Sequence, residues 1–95
     1  MQSSEFLTEK LQQIAEKFTG IKIRYEFRYN SQSHIVEILP LDLFEGDELF
    51  MEEEAKLETE FEKLYPSEDI VFISENSLTE IKNPEFELGN EFIGN

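Results

Sequence analysis

From Ile21 to Tyr29 the chain alternates without a fault: Ile21, Ile23, Tyr25, Phe27 and Tyr29 take the odd positions, and Lys22, Arg24, Glu26 and Arg28 the even ones. Successive side chains of a strand point to opposite faces, so this pattern specifies an extended segment with one buried and one wet side. The four residues Asn30-Ser31-Gln32-Ser33 have the length of a hairpin turn. The returning strand then runs from His34 to Leu39 and stops at Pro40, which cannot donate to a ladder.

The segments on either side read as helices that cover the apolar face of this hairpin. Leu7, Leu11, Ile14 and Phe18 follow a 4-3-4 spacing and share one helical face. Ser3 or Ser4 is placed to cap the start, and Gly20 suits the left-handed position after the end. Beyond a loop at 42–46, Asp47 can cap a second long helix with the apolar stripe Phe50, Leu57, Phe61, Leu64 and Tyr65, ended by Pro66-Ser67. Ile70 to Ile73 is an uninterrupted apolar run, which in a strand calls for cover on both faces. A turn at Glu75-Asn76-Ser77, a short element from Leu78 to Ile81 and a further strand at Phe86-Glu87-Leu88 complete the pattern. Gly89 to Asn95 reads as a frayed tail.

A chain of 95 residues supports one domain, 1–95, with a single core. Nine Phe and three Tyr supply that core with large side chains, and the absence of Cys leaves stability to packing. The order α-β-β-α-β(-β) and the right-handedness of strand-helix-strand connections predict an α+β fold. The expected architecture is a two-layer α/β sandwich with a mostly antiparallel sheet and two helices on one face, close to a split βαβ arrangement, with the first strand central. Neither a signal-like N-terminus nor an apolar run long enough to span a bilayer is present, so the expected setting is cytoplasmic and without a membrane partner.

Charge divides the chain into unlike parts. Residues 1–41 carry five acids and five bases, whereas residues 42–95 hold seventeen of the 22 acids against Lys56, Lys63 and Lys82, which accounts for the whole net charge of -14. A field of this sign repels nucleic acid and attracts basic protein surfaces. Within the second helix Glu48 and Glu52, Glu54 and Glu58, and Glu58 and Glu62 are like-charge pairs four residues apart, each unfavourable by about 0.2–0.5 kcal/mol. Such a row is either a solvated face built from a good helix former or a surface for a basic partner.

Three further features bear on chemistry. Glu54 lies inside the apolar stripe, about 40° from Phe50, and is either exposed past the sheet edge or paired with Arg24, Arg28 or His34. His34, the single histidine, reads as a solvated turn residue, since Glu37 has the wrong parity to share its face. Asp42, Glu45, Asp47 and Glu48 surround Gly46 without the alternate-position ligands of a calcium loop, so no metal site and no cofactor is expected.

These observations favour a non-enzymatic interaction module that presents Glu48, Glu52, Glu58 and Glu62 to a basic protein. A homodimer or other assembly formed through the sheet face is the alternative for the apolar strand at 70–73, unless the C-terminal segment covers it. A metal-dependent enzyme would require Glu54, His34 and the acids at 42–48 to converge in one pocket.

Overall fold

The computed structural model describes residues 2–75, 81, 82, 84 and 86–89. Its elements are α1 (Gln2–Lys17), β1 (Lys22–Arg28), β2 (Ser33–Leu39), α2 (Leu41–Gly46), α3 (Glu48–Leu64), β3 (Asp69–Ile73) and β4 (Phe86–Gly89). The four strands form one mixed sheet in the order β3-β2-β1-β4. β1 is central and antiparallel to both β2 and β4, while β2 and β3 are parallel and joined through α2 and α3. The protein is a small α+β domain.

Register separates the two faces of the sheet. Ile23 stands opposite Ile38, Tyr25 opposite Val36 and Phe27 opposite His34, and β3 continues the same rows with Ile70 beside His34 and Phe72 beside Val36. The buried members of these rows join Leu7, Leu11 and Ile14 of α1 and Phe50, Leu57 and Phe61 of α3 in one core cluster. Lys10 bonds Glu60 at 3.7 Å and Lys17 bonds Glu53 at 3.1 Å, which fixes α1 and α3 side by side and antiparallel.

The opposite face combines ion pairs with a small apolar cluster. Arg24 Nε donates to Glu37 Oε1 at 2.6 Å and Arg28 Nε to Glu26 Oε2 at 3.3 Å. Ile35 and Ile73 are buried against Ile81, and the backbone N–H of Lys82 donates to Glu26 Oε1 at 2.9 Å. Ile81 and Lys82 therefore lie on this face, so Ile35 and Ile73 are covered within the chain.

Several local expectations need correction. The stretch read as a loop at 42–46 lies within α2: Pro40 O accepts from the N–H groups of Leu43 and Phe44, and both side chains pack against the core. Asp47 caps α3 as expected, its Oδ1 accepting from Phe50 N at 2.9 Å, and its own N–H closes α2 by donating to Leu43 O. Ser3 and Ser4 lie inside α1 rather than before it, with their hydroxyls turned to partners described below. Leu64 is not part of the buried stripe but 54% exposed at the end of α3. β3 is an edge strand, and Val71 remains 39% exposed instead of being covered on both sides. Gly20 does adopt the left-handed conformation after α1, with φ +84°. Of the expected tail, Gly89 pairs with Lys22 in β4; residues 90–95, like most of the short element at 78–81, fall outside the described residues.

Candidate functional site

The acids of α3 fall into two sets on opposite sides of the helix. Glu53 and Glu60 face α1 and are held by Lys17 and Lys10 at the mouth of a small groove that Ile14 and Leu57 floor. Glu48, Glu52 and Glu62 are exposed and Glu58 is half-buried, all on the arc away from α1. Among the described residues none of these four forms an ion pair. Exposed Met51 lies on the same arc, so the surface is acidic with an apolar element rather than uniformly charged.

Glu54 occupies the border between this arc and the core. It is half-buried, and the three basic residues that could have paired with it are engaged elsewhere: Arg24 with Glu37, Arg28 with Glu26 and His34 with Glu68. Burial, reinforced by the charge of Glu58, pushes the Glu54 carboxyl up to about 6. A folded-state value raised above the unfolded one means that the fold binds this proton more tightly. Glu54 therefore lowers stability as pH rises from the usual carboxylate range through about 6. Glu54→Gln is expected to raise unfolding free energy by about 1 kcal/mol at about pH 8 and to change little at about pH 4, the magnitude being reduced because the carboxylate retains contact with water. Urea unfolding at the two pH values measures this; equal effects at both would show that ionisation is not the cause.

His34 is the main departure from the sequence reading. It is 0% exposed rather than solvated, with both ring nitrogens engaged. Nε2 lies 2.6 Å from Glu68 Oε1, Nδ1 lies 2.5 Å from Tyr25 Oη, and Tyr25 Oη lies 3.0 Å from Ser4 Oγ. Nε2–H donates to Glu68, and Nδ1, Tyr25 Oη and Ser4 Oγ continue the chain, their donor and acceptor roles following the state of the ring. Burial raises the Glu68 carboxyl, but hydrogen bonds from His34 and Ser3, together with the charge interaction with His34, more than offset this and leave it below the usual range. The rings of Phe27 and Phe61 pack against the imidazole at 4.5 and 5.1 Å.

The order Ser-Tyr-His-Glu has the bonding of an acid–base relay, yet Tyr25 is 1% exposed and the grooves formed by described residues are lined by other side chains. Its role in this geometry is to tie the first turn of α1 to β1, to β2 and to the α3–β3 connection. The sequence carried a signal for it, because His34 shares its parity with Val36 and Ile38 and therefore their face.

The residues required for a metal-dependent reaction are not brought together. His34 is enclosed in the core, Glu54 lies on α3, and Asp42 and Asp47 line a shallow groove of about 420 Å³ with Thr19, Gly20, Pro40 and Leu43. Among the described residues no group of three or more His, Asp or Glu side chains converges on a point that could hold a metal ion. No described helix is long and apolar enough to cross a membrane. Comparison of the chain with family models, curated proteins and solved structures finds no match.

Proposed function

We propose that this protein is a small non-enzymatic interaction module of the cytoplasm, working without a cofactor, whose α3 presents Glu48, Glu52, Glu58 and Glu62 to a basic protein. The observation that supports this reading is the unequal treatment of the acids on one helix. Those facing α1 are neutralised by lysines of the same chain, whereas those on the outer arc find no cation among the described residues. Uncompensated like charges on a helix oppose folding, and a basic surface that docks there removes the repulsion while gaining long-range attraction.

Such binding weakens with salt, because exposed charges are screened over about 8 Å at physiological ionic strength. Immobilised protein is expected to retain a basic protein from cell lysate at low ionic strength and to release it as salt is raised. A variant carrying Glu48→Lys, Glu52→Lys, Glu58→Lys and Glu62→Lys, with its fold verified by circular dichroism, is expected to retain none of it. Equal retention by the two proteins would remove α3 from the interaction. Self-association through the outer sheet face has less to draw on, since Ile35 and Ile73 are already buried against Ile81 and Val71 is the exposed apolar residue left on β3.

A further inference from the structure

β3 ends the sheet, and among the described residues only its β2 side is paired. Asp69 donates its N–H to Gln32 O at 3.0 Å, so the backbone groups of Asp69, and by alternation those of Val71 and Ile73, face β2. The N–H and C=O groups of Ile70 and Phe72 consequently point outward, where no described residue meets them. A row of this kind is a template for one more strand.

The helix layer above this edge selects the occupant. α1 packs over β1 and β4, and Phe61 of α3 packs on His34 of β2, so α3 lies on the β3 side of α1 and its flank turned away from α1 is the one toward the free edge. Glu53 and Glu60 mark the α1 side through their bonds to Lys17 and Lys10. Glu54, Glu58 and Glu62 are rotated by roughly 100° or more from that side and form a row along the flank toward the free edge. Their spacing of four residues repeats roughly every 6 Å along the helix, and alternate residues of an extended strand repeat roughly every 6.7 Å. A strand laid against β3 would thus bring every second side chain beneath one carboxylate.

We infer that the free edge of β3 receives an extended segment of a partner protein that carries lysine or arginine at every second position, added as a fifth strand beneath Glu54, Glu58 and Glu62. This rests on the acidic-flank reading and narrows it from a charged surface to a mode of recognition, in which main-chain hydrogen bonds hold the segment and the three acids choose it. Glu54 fits the role because it is half-buried on this flank with no ion-pair partner among the described residues, and burial keeps its carboxyl raised to about 6. A cation delivered from below would restore its charged form. A second copy of this chain is a poorer occupant, since each copy carries a net charge of -14 and β3 offers no basic side chain of its own.

The test uses two synthetic peptides that alternate lysine and valine and have the same charge, one unmodified and one with alternate backbone nitrogens methylated so that it cannot complete a strand. The unmodified peptide is expected to bind about tenfold more tightly and to slow hydrogen exchange at the amides of Ile70 and Phe72. Equal affinity for both, with no protection of those amides, would overturn strand addition while leaving the acidic flank as a binding surface. No binding of either at low salt would overturn both readings. Sedimentation without peptide covers the remaining occupant: a dimer that already protects Ile70 and Phe72 would assign the edge to a second copy and overturn the proposal.

Discussion

His34→Ala is expected to destabilise the fold by about 3–5 kcal/mol, a large share of the about 5–15 kcal/mol available to a domain of ordinary stability. The substitution removes a fully enclosed ring from between Phe27 and Phe61 and leaves a cavity there. It also strips Tyr25 Oη of a hydrogen-bond partner and Glu68 of a donor, so a buried hydroxyl and a half-buried carboxylate lose partners together. His34→Phe separates the two contributions, because it refills the volume without restoring either hydrogen bond, and is expected to recover part of the loss. The double variant His34→Ala with Glu68→Ala is expected to lose less than the two single losses combined, as members of one network do. Urea unfolding of the wild type, the three single variants His34→Ala, His34→Phe and Glu68→Ala, and the double variant gives these values; a His34→Ala loss below about 1 kcal/mol would mean that the ring is not integral to the core.

The same network has a defined response to acid. Because the folded-state value of Glu68 is lowered, its contribution is fully present above the usual carboxylate range and is lost as pH falls through the lowered value. Glu54 acts in the opposite direction, opposing the fold above about 6 and ceasing to do so once protonated. In His34→Ala the hydrogen bond that helps lower Glu68 is absent, so the acid-side loss is expected to shrink while the effect of Glu54 persists.

What the sequence made legible follows from how local each signal is. The alternation is settled within one strand, and the cap at Asp47 and the left-handed Gly20 are settled within one turn; all three are present in the structure, except that β1 stops at Arg28 and Tyr29, expected on the buried face, is 74% exposed in the turn. α2 escaped because its identity depends on Leu43 and Phe44 reaching the core, which a segment of six residues, too short to show a helical period, does not announce. His34 directly follows the turn residues in sequence, whereas Tyr25, Ser4 and Glu68 come from three other segments, so its burial is not a local signal. The cap expected of Ser3 or Ser4 fails for the same reason, since their partners are remote. Glu54 was recognised as anomalous from the helical wheel, but its lack of a partner depended on where Arg24, Arg28 and His34 had already found theirs. The acidic arc of α3 was legible as a surface, while its division into a lysine-bound half and an open half required the position of α1.

Arg24→Met is expected to cost about 2 kcal/mol through the carboxylate it abandons, rather than through any loss of its own packing. Glu37 is only 8% exposed, placed between Arg24 of β1 and Ile73 of β3 on the outer face of the sheet. The guanidinium bonds it at 2.6 Å, and this bond, against the opposing effect of burial, raises the Arg24 pKa further above its already high ordinary value. The cost falls below the about 3–5 kcal/mol of a fully enclosed pair because about a third of the Arg24 side chain reaches water. Glu37→Met should cost less than Arg24→Met, since Arg24 keeps solvent and the nearby charge of Glu87 on β4. The double variant Arg24→Met with Glu37→Met should return to within about 1 kcal/mol of the wild type, because two methionines there extend the Ile35–Ile73–Ile81 cluster and leave no buried charge unpaired, Glu87 being exposed. Urea midpoints of the three variants decide the matter: a double variant as unstable as Arg24→Met would mean that the ion pair itself stabilises the face. Recovery would mean that the pair mainly keeps that face polar, and the double variant should then self-associate at high protein concentration where the wild type does not.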